Sequence, residues 1–236
     1  MYAKRHTMKG MHINSIYLAT EGEGIHLGTP QVFVRFQGCA VGCVNCDSKD
    51  TWEFKAANLT LDEVLCEVQK HSVKAVSITG GDPLHPKLAP QSIELARALK
   101  QMGYRVNVEA AGTRILDELF DIIDFVSFDY KTPSTKVSTP LKLLSQMETH
   151  YKGKFQVKSV VQDKRDFDYV IDAHGKLKEL GEFSFPWVIT PSFLPSETFP
   201  AQRFQNIIEW NYESGSLFRV IGQQHKWFYG PEFQEV

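Results

Sequence analysis

The 236-residue sequence lacks any apolar run near the roughly 18 residues that a membrane-spanning helix needs, which argues against a membrane protein. It also lacks a basic surplus, because 26 lysine and arginine residues stand against 28 aspartate and glutamate residues. Binding to a phosphate backbone is therefore not expected to dominate its function. Residues 1–10 are basic and polar without an apolar segment, so we expect no signal peptide and a cytoplasmic location. We expect neither nucleic acid nor a membrane as a partner.

Cysteine is scarce, and its four residues are too few for a disulfide framework. Three of them are clustered at Cys39, Cys43 and Cys46, and such clustering first indicates metal binding. Three thiolates do not complete a tetrahedral zinc site, and His26 lies 13 residues upstream. An iron–sulfur cubane with three protein ligands keeps one iron open to a small molecule. Buried structural cysteines and a partial zinc site are the alternatives.

The chain shows no internal repeat, low-complexity tract or linker, so we expect a single domain over residues 1–236. Apolar β-branched segments alternate with helical patterns, which predicts right-handed βαβ units and a parallel sheet. The predicted fold class is α/β, an open, partial parallel β/α barrel with about six parallel strands, too few for a closed eight-stranded barrel. The candidate strands cover residues 31–37, 74–79, 104–109, 124–129, 154–161, 186–190 and 216–221.

Unusual residues follow four of these candidate strands. The cysteine loop follows the first, Gly80-Gly81-Asp82-Pro83 the second, residues 109–113 the third and residues 129–133 the fourth. The active sites of parallel β/α folds form where the strands end, so we predict that these segments meet in one site. The glycine pair lets the backbone approach a ligand closely, and the carboxylate of Asp82 suits an ammonium group. A tight loop without a ligand is the alternative.

Cys39-x3-Cys43-x2-Cys46 resembles the signature of the radical S-adenosylmethionine (SAM) superfamily. Gly80-Gly81-Asp82-Pro83 resembles the glycine-rich motif of that superfamily, which binds the SAM amine. Further segments are similar to the 7-carboxy-7-deazaguanine synthase family, and together they extend the resemblance over residues 13–227. These segments are residues 20–24, 28–30, 32–39, 46–48, 51–53, 109–113, 131–134 and 219–226.

The resemblance implies a carbon–nitrogen lyase that converts 6-carboxy-5,6,7,8-tetrahydropterin to 7-carboxy-7-deazaguanine with loss of ammonia. This is a step of queuosine and 7-deazapurine biosynthesis. The implied cofactors are a [4Fe–4S] cluster, SAM and Mg²⁺. The implied partners are the small pterin substrate, a flavodoxin-like or other low-potential electron donor, and a second copy of the chain in a homodimer. Because the cofactors carry the radical chemistry, we assign no side chain as a catalytic acid or base.

The resemblance also implies the residues of the site. The expected cluster ligands are Cys39, Cys43 and Cys46, and the expected Mg²⁺ ligand is Ser48. The expected SAM contacts are Asn45, Asp47, Gly80, Gly81, Asp82, Thr113, Asp129, Tyr130 and Lys131. The expected substrate contacts are Thr20, Glu21, Gly22, Glu23, Arg35, Glu109, Ala111 and His225. We expect residues 1–11 to form an N-terminal extension and residues 216–236 to close the active site.

The chain departs from the family pattern at several of these positions. Asp82 stands where Glu is more usual, Glu21 replaces Gln, and Asp129-Tyr130 replaces Ser-Pro. Ser48 stands where Thr is common, and either hydroxyl can coordinate Mg²⁺. We expect Asp82 to keep its role because its charge remains, and backbone contacts to serve at Glu21 and at Asp129-Tyr130.

Two other functions share part of the pattern. A radical SAM activase, which generates a glycyl radical on a partner protein, shares the cysteine loop and the glycine motif. It gives no reason for the Glu-Gly-Glu-Gly segment at 21–24 or the Gln-His-Lys segment at 224–226. A zinc-bound interaction module is the non-enzymatic alternative. For Arg35, a structural salt bridge is the alternative to substrate binding.

Overall fold

The computed structural model describes residues 10–194, 197–233 and 235. Eight strands form one sheet in chain order. The strands are Ile13–Thr20 (β1), Pro30–Phe36 (β2), Ala75–Gly80 (β3), Arg105–Ala110 (β4), Phe125–Asp129 (β5), Phe155–Val161 (β6), Trp187–Pro191 (β7) and Arg219–Val220 (β8). The α-helices are Leu61–Gln69 (α1), Ala89–Gln101 (α2), Asp117–Phe120 (α3), Leu141–Tyr151 (α4), Lys164–Leu180 (α5), Ala201–Glu213 (α6) and Gln224–Tyr229 (α7).

The sheet is open and mostly parallel, with β1 at one edge and β8 at the other. Strands β2 to β8 pair in parallel, and β1 pairs antiparallel with β2. The predicted α/β class and open, partial barrel are confirmed, with seven parallel strands where about six were predicted. The sequence pattern also does not reveal β1. As an edge strand it is mostly half-exposed, so its apolar periodicity is weak.

Local sequence signals account for the helix that follows the cysteine loop. Thr60 and Glu63 form the predicted capping box at the start of α1. Val64 and Val68 of this helix are fully buried. Helices of this kind cover the sheet between successive parallel strands. Within the described residues, no helix combines the length and the hydropathy needed to cross a bilayer.

Strand β2 shows how the sheet separates the core from the interior of the barrel. Val32, Val34 and Phe36 are fully buried in the core, whereas Phe33 and Arg35 line a cavity. Successive strand residues point to opposite faces, so one strand serves both surfaces.

The predicted N-terminal extension, residues 1–11, falls mostly outside the described residues, which begin at Gly10. Met11 is fully buried in the core, and its backbone pairs with Leu59. The part of the segment that is described therefore packs as part of the fold.

Replacing Phe128 by alanine is expected to lower the free energy of unfolding by about 3–5 kcal/mol, because it opens a cavity in the centre of the sheet. Phe128 lies on β5 and has no solvent exposure. Urea denaturation under anaerobic conditions measures the change. Phe228→Ala is the matched control, because this side chain is 70% exposed and its loss should change stability by less than about 0.5 kcal/mol. Equal effects of the two variants would contradict the described core.

Candidate active site

A cavity of about 270 Å³ lies where the parallel strands end. Gly80, Ala110 and Asp129 are the last residues of β3, β4 and β5, and all three line it. A neighbouring cavity of about 560 Å³ shares several lining residues with the first, including Cys43 and Cys46. The predicted meeting of the strand-end segments is therefore observed in the structure.

The three clustered cysteines line the first cavity, and all are free thiols. Cys39 accepts a hydrogen bond from the Val41 N–H at 3.4 Å, and Cys46 accepts one from the Ser48 N–H at 3.4 Å. Burial raises the pKa of Cys39 and of Cys43 above the ordinary thiol value. These thiols are thus protonated near neutral pH, and metal binding would displace their protons.

No group of three histidine, cysteine, aspartate or glutamate side chains within the described ranges is arranged to hold a single metal ion. A [4Fe–4S] cubane does not require that arrangement, because each thiolate binds a different iron atom. The donor set, three thiols directed at one cavity with backbone N–H donors beside two sulfurs, fits such a cluster.

The glycine motif is joined to the cysteine loop through the backbone. The Gly81 N–H donates to the Phe36 carbonyl at 3.0 Å, and the Asp82 N–H donates to the Gly38 carbonyl at 2.9 Å. A Cβ atom on Gly81 would lie 2.2 Å from the Gly38 carbonyl oxygen, so no side chain fits there. The close approach that the glycine pair predicts is made to the start of the cysteine loop.

The expected SAM contacts that line a cavity divide into three groups. Gly80 and Gly81 line the first cavity only. Asn45 and Tyr130 line the second only. The charged side chains line both cavities, and these are Asp47, Asp129 and Lys131.

Two of the expected SAM contacts, Asp82 and Thr113, line neither cavity. The Asp82 side chain is 1% exposed, and one of its oxygens accepts the Leu84 N–H at 3.1 Å. Its other oxygen lies 4.0 Å from the Arg114 guanidinium. Burial raises the pKa of Asp82. The structure thus places this carboxylate behind the glycine pair, where it holds the turn, and a direct contact with SAM stays a prediction.

The expected substrate contacts all line the first cavity. They come from different parts of the chain: the segment after β1, the strand β2, the end of β4 and the start of α7. These residues are Thr20, Glu21, Gly22, Glu23, Arg35, Glu109, Ala111 and His225.

Arg35 has its guanidinium in this cavity and, among the described residues, no ion-pair partner. One terminal nitrogen donates to the Tyr17 hydroxyl at 2.8 Å and the other to the Ser48 hydroxyl at 3.1 Å. Its Nε is buried, and within the described part of the chain it has no acceptor. The alternative of a structural salt bridge at Arg35 is therefore not what the structure shows.

Lys158 lies at the centre of the acidic part of the cavity, although it was not predicted as a site residue. Its ammonium group is 2.8 Å from a Glu23 oxygen and 3.2 Å from a Glu109 oxygen. Burial opposes its charge, but Glu109 and Glu23 outweigh burial and raise the pKa of Lys158 well above the ordinary value. Burial likewise opposes ionisation of Glu23, yet Lys158 and His225 lower the pKa of Glu23 to about 2.

Glu21 differs from its acidic neighbours because it forms no ion pair with any cation in the described part of the chain. Burial and the charge of Glu109 raise the pKa of Glu21 to about 8. Its two oxygens accept hydrogen bonds from the Glu23 N–H at 3.1 Å and from the Gln31 amide at 2.7 Å. The site therefore combines the neutral carboxylic acid of Glu21, the ionised carboxylate of Glu23 and the ammonium group of Lys158.

The predicted C-terminal segment packs on the rim of the first cavity, although its residues Gln234 and Val236 lie outside the described residues. The Gln223 amide donates to Glu23 at 2.6 Å, and the Gln224 N–H donates to the Gly22 carbonyl at 2.9 Å. Lys226 lies 3.3 Å from an Asp47 oxygen. The His225 ring packs so closely on Gly22 that a Cβ atom there would lie 2.1 Å from its Nδ1. The C-terminal segment is thus attached both to the segment that follows β1 and to the end of the cysteine loop.

Several lining residues are absent from the predicted site, and Tyr17, Lys158 and Lys226 are among them. Lys158 could have been found from the sequence, because a lysine interrupts an otherwise apolar strand at this position. Its neighbours Val157 and Ser159 are both buried. Tyr17 lies on the unpredicted strand β1, and its position depends on cross-strand pairing. Sequence reasoning therefore had no means of placing Tyr17 beside Arg35.

The variant Glu21→Gln is expected to make stability less dependent on pH. The unfolded chain releases the Glu21 proton near the ordinary value of 4.5, whereas the folded chain holds it up to about pH 8. The folded state binds more protons across this window, so Glu21 lowers the free energy of unfolding increasingly as pH rises. The amide of the glutamine variant has no proton to release, so this decrease in the free energy of unfolding with rising pH disappears. Relative to wild type, the variant should gain about 3 kcal/mol at pH 8 compared with pH 5.

Anaerobic urea denaturation at pH 5 and pH 8 measures this difference. Glu213→Gln, at the exposed end of α6, is the control and should shift stability equally at both pH values. A gain for Glu21→Gln that is the same at pH 5 and pH 8 would show that Glu21 is ionised in the folded protein.

Comparison with known proteins agrees with this geometry. The family model of the radical SAM superfamily matches residues 33–199. The 7-carboxy-7-deazaguanine synthase of Aquifex aeolicus is 34% identical over 107 residues, which cover 45% of this chain and 48% of the relative. The chain thus spans about half the length of that relative. The 7-carboxy-7-deazaguanine synthase of Bacteroides thetaiotaomicron is 35% identical over 144 residues, which cover 60% of this chain and 70% of the relative.

The fold is also similar to a solved structure. The crystal structure of QueE from Escherichia coli matches with a TM-score of 0.65 and 22% sequence identity, covering 91% of this chain and 94% of that one. At that identity the similarity supports the fold alone. Together with the family model and the curated relatives, it leads to one conclusion: the chain belongs to the radical SAM superfamily and, within it, to the 7-carboxy-7-deazaguanine synthase family.

Proposed function

We propose that the chain converts 6-carboxy-5,6,7,8-tetrahydropterin to 7-carboxy-7-deazaguanine with loss of ammonia. The observation that carries the proposal is a shared cavity. One set of its lining residues suits a planar substrate with a carboxylate and a guanidine-like edge, and the other set is the three-cysteine loop. Chemistry at the cysteine loop would therefore act on a substrate held a short distance away.

Membership of the radical SAM superfamily implies a [4Fe–4S] cluster and SAM. We propose that Cys39, Cys43 and Cys46 hold the cluster. When bound, the cluster and SAM would supply one-electron radical chemistry to a substrate in the same cavity. The proposed SAM contacts are the expected SAM residues that line the two cavities. Among them, Lys131 and Asp129 line both cavities and form an ion pair at 2.5 Å.

The protein would bind and orient the substrate with complementary charge. Arg35 offers unpaired donors to the carboxylate, as a guanidinium fork does. Glu23 and Glu109 offer acceptors to the amino and ring N–H groups, and Lys158 pairs with both carboxylates and holds them in place. Glu21, neutral below about pH 8, adds no further negative charge beside them. We propose that residues 223–226 close the pocket and exclude water.

Magnesium is proposed at Ser48, beside Arg35. The Ser48 hydroxyl accepts from Arg35 at 3.1 Å and donates to an Asp47 oxygen at 3.1 Å. Mg²⁺ prefers oxygen ligands and keeps waters or substrate oxygens in its remaining positions. A hydroxyl and a carboxylate side by side at the cavity fit such an ion, which would help Arg35 to balance the substrate carboxylate.

A flavodoxin-like or other low-potential electron donor is proposed because reductive cleavage of SAM consumes an electron. The homodimer, the single-domain extent and the cytoplasmic location stay predictions. For the homodimer, one surface on which a second copy could pair is the outer edge of β1, which pairs with no further strand among the described residues.

The proposed reaction is tested by anaerobic reconstitution with iron and sulfide, followed by incubation with reductant, SAM, Mg²⁺ and 6-carboxy-5,6,7,8-tetrahydropterin. Mass spectrometry should detect 7-carboxy-7-deazaguanine. Cys43→Ala should abolish the product and the iron–sulfur absorbance while the far-ultraviolet circular dichroism stays unchanged. Cys66→Ala is the matched control, because Cys66 is exposed and lines neither cavity, and it should keep full iron content and activity.

Deoxyadenosine without 7-carboxy-7-deazaguanine would contradict the proposed substrate and favour the activase. Full iron content in Cys43→Ala would contradict the cluster ligands.

The magnesium site is tested by Ser48→Ala. Loss of the hydroxyl should raise the Mg²⁺ concentration for half-maximal product formation roughly tenfold, because the ion loses one oxygen ligand. Ser48→Thr keeps a hydroxyl and should restore the wild-type concentration. A Mg²⁺ titration of product formation measures the effect. An unchanged titration in Ser48→Ala would place the ion elsewhere.

A further inference from the structure

We propose that Tyr17 is a positioning residue that orients the Arg35 guanidinium toward a carboxylate ligand in the first cavity. The inference rests on the proposed function, because the carboxylate is that of the proposed substrate and product. Nothing in the sequence pattern singled out Tyr17, and the contact that carries the inference is made across two strands.

The Tyr17 ring is held rigidly where it meets Arg35. Tyr17 on β1 and Phe33 on β2 are cross-strand partners, and their rings stack 5.3 Å apart with planes 10° from parallel. Both residues line the cavity. Burial raises the pKa of Tyr17, so its phenol is neutral and accepts the 2.8 Å hydrogen bond from Arg35 without becoming an ion-pair partner.

Tyr17 restricts the direction of the Arg35 guanidinium without neutralising its positive charge. Tyr17 and Ser48 each accept from one terminal nitrogen, and the buried Nε has no acceptor within the described residues. Two contacts at the ends of a planar group restrict its rotation. A half-buried cation with a donor left over is complementary to a planar anion, and a carboxylate is the anion that a guanidinium binds in a fork.

The Tyr17 hydroxyl could act in two ways that substitution of Tyr17 alone does not separate. It could orient Arg35, or it could donate its own proton to the ligand carboxylate. A double-mutant cycle with Arg35 separates them, because an effect transmitted through Arg35 disappears when Arg35 is absent.

The experiment measures binding of two ligands to the reconstituted enzyme by calorimetry: 7-carboxy-7-deazaguanine and 7-deazaguanine, which lacks the carboxylate. Wild type should prefer the carboxylated ligand. Tyr17→Phe keeps the stacked ring and should reduce that preference roughly five- to tenfold, while the Kd for 7-deazaguanine changes less than about twofold. The KM for the pterin substrate should rise by a similar factor with little change in kcat.

In an Arg35→Ala background, Tyr17→Phe should cause no further loss of preference. Tyr212→Phe, whose residue is 69% exposed on α6, is the control and should leave both ligands unaffected. Iron content and circular dichroism verify that each variant is folded and loaded.

Three outcomes would overturn the inference. An unchanged preference in Tyr17→Phe would show that the hydroxyl does not matter. Additive losses in the double variant would show that Tyr17 contacts the ligand itself. A wild-type enzyme with no preference for the carboxylate would refute the proposed ligand, and with it the role of Tyr17. The wild-type arm therefore separates a failure of the proposed function from a failure of the role of Tyr17 alone.

Discussion

The buried ammonium group of Lys158 is the interaction on which the charged side of the cavity depends. It pairs with Glu23 after β1 and with Glu109 on β4, and so joins the beginning of the chain to the middle of the sheet. Glu23 in turn accepts from Gln223 near the C-terminus. Removing one partner of such a buried group leaves uncompensated charge, which typically costs about 3–5 kcal/mol. Lys158 therefore organises the pocket through charge balance.

The opposite side of the cavity is organised by backbone contacts. The glycine motif after β3 donates to the carbonyls of Phe36 and Gly38, at the start of the cysteine loop. These bonds fix the loop relative to the sheet without using a side chain. Parallel pairing of β2 with β3 brings both segments to the same edge. A reactive cofactor on one side and a charged pocket on the other is an arrangement in which the protein supplies orientation and the cofactor supplies chemistry.

Much of the architecture could be predicted because its signals are local. Apolar segments identified β2 to β8, and the capping box at Thr60 identified the start of α1. Strand β1 was not predicted, since an antiparallel edge strand with one solvated face carries a weak apolar pattern. Among the site residues, Asp82 and Thr113 lie outside the cavities, because a residue one or two positions from a lining residue can point away from the ligand.

The sequence by itself determined which chemistry is available, through the spacing of Cys39, Cys43 and Cys46 and the glycine pair that follows β3. Both are short motifs whose geometry depends on neighbouring residues. Only the tertiary structure decided how Lys158, Tyr17 and Glu21 act. The charge state of Glu21 and the direction of Arg35 depend on partners from distant strands. Coulomb interaction and burial act through space, so their effect at a residue cannot be read before the chain has folded.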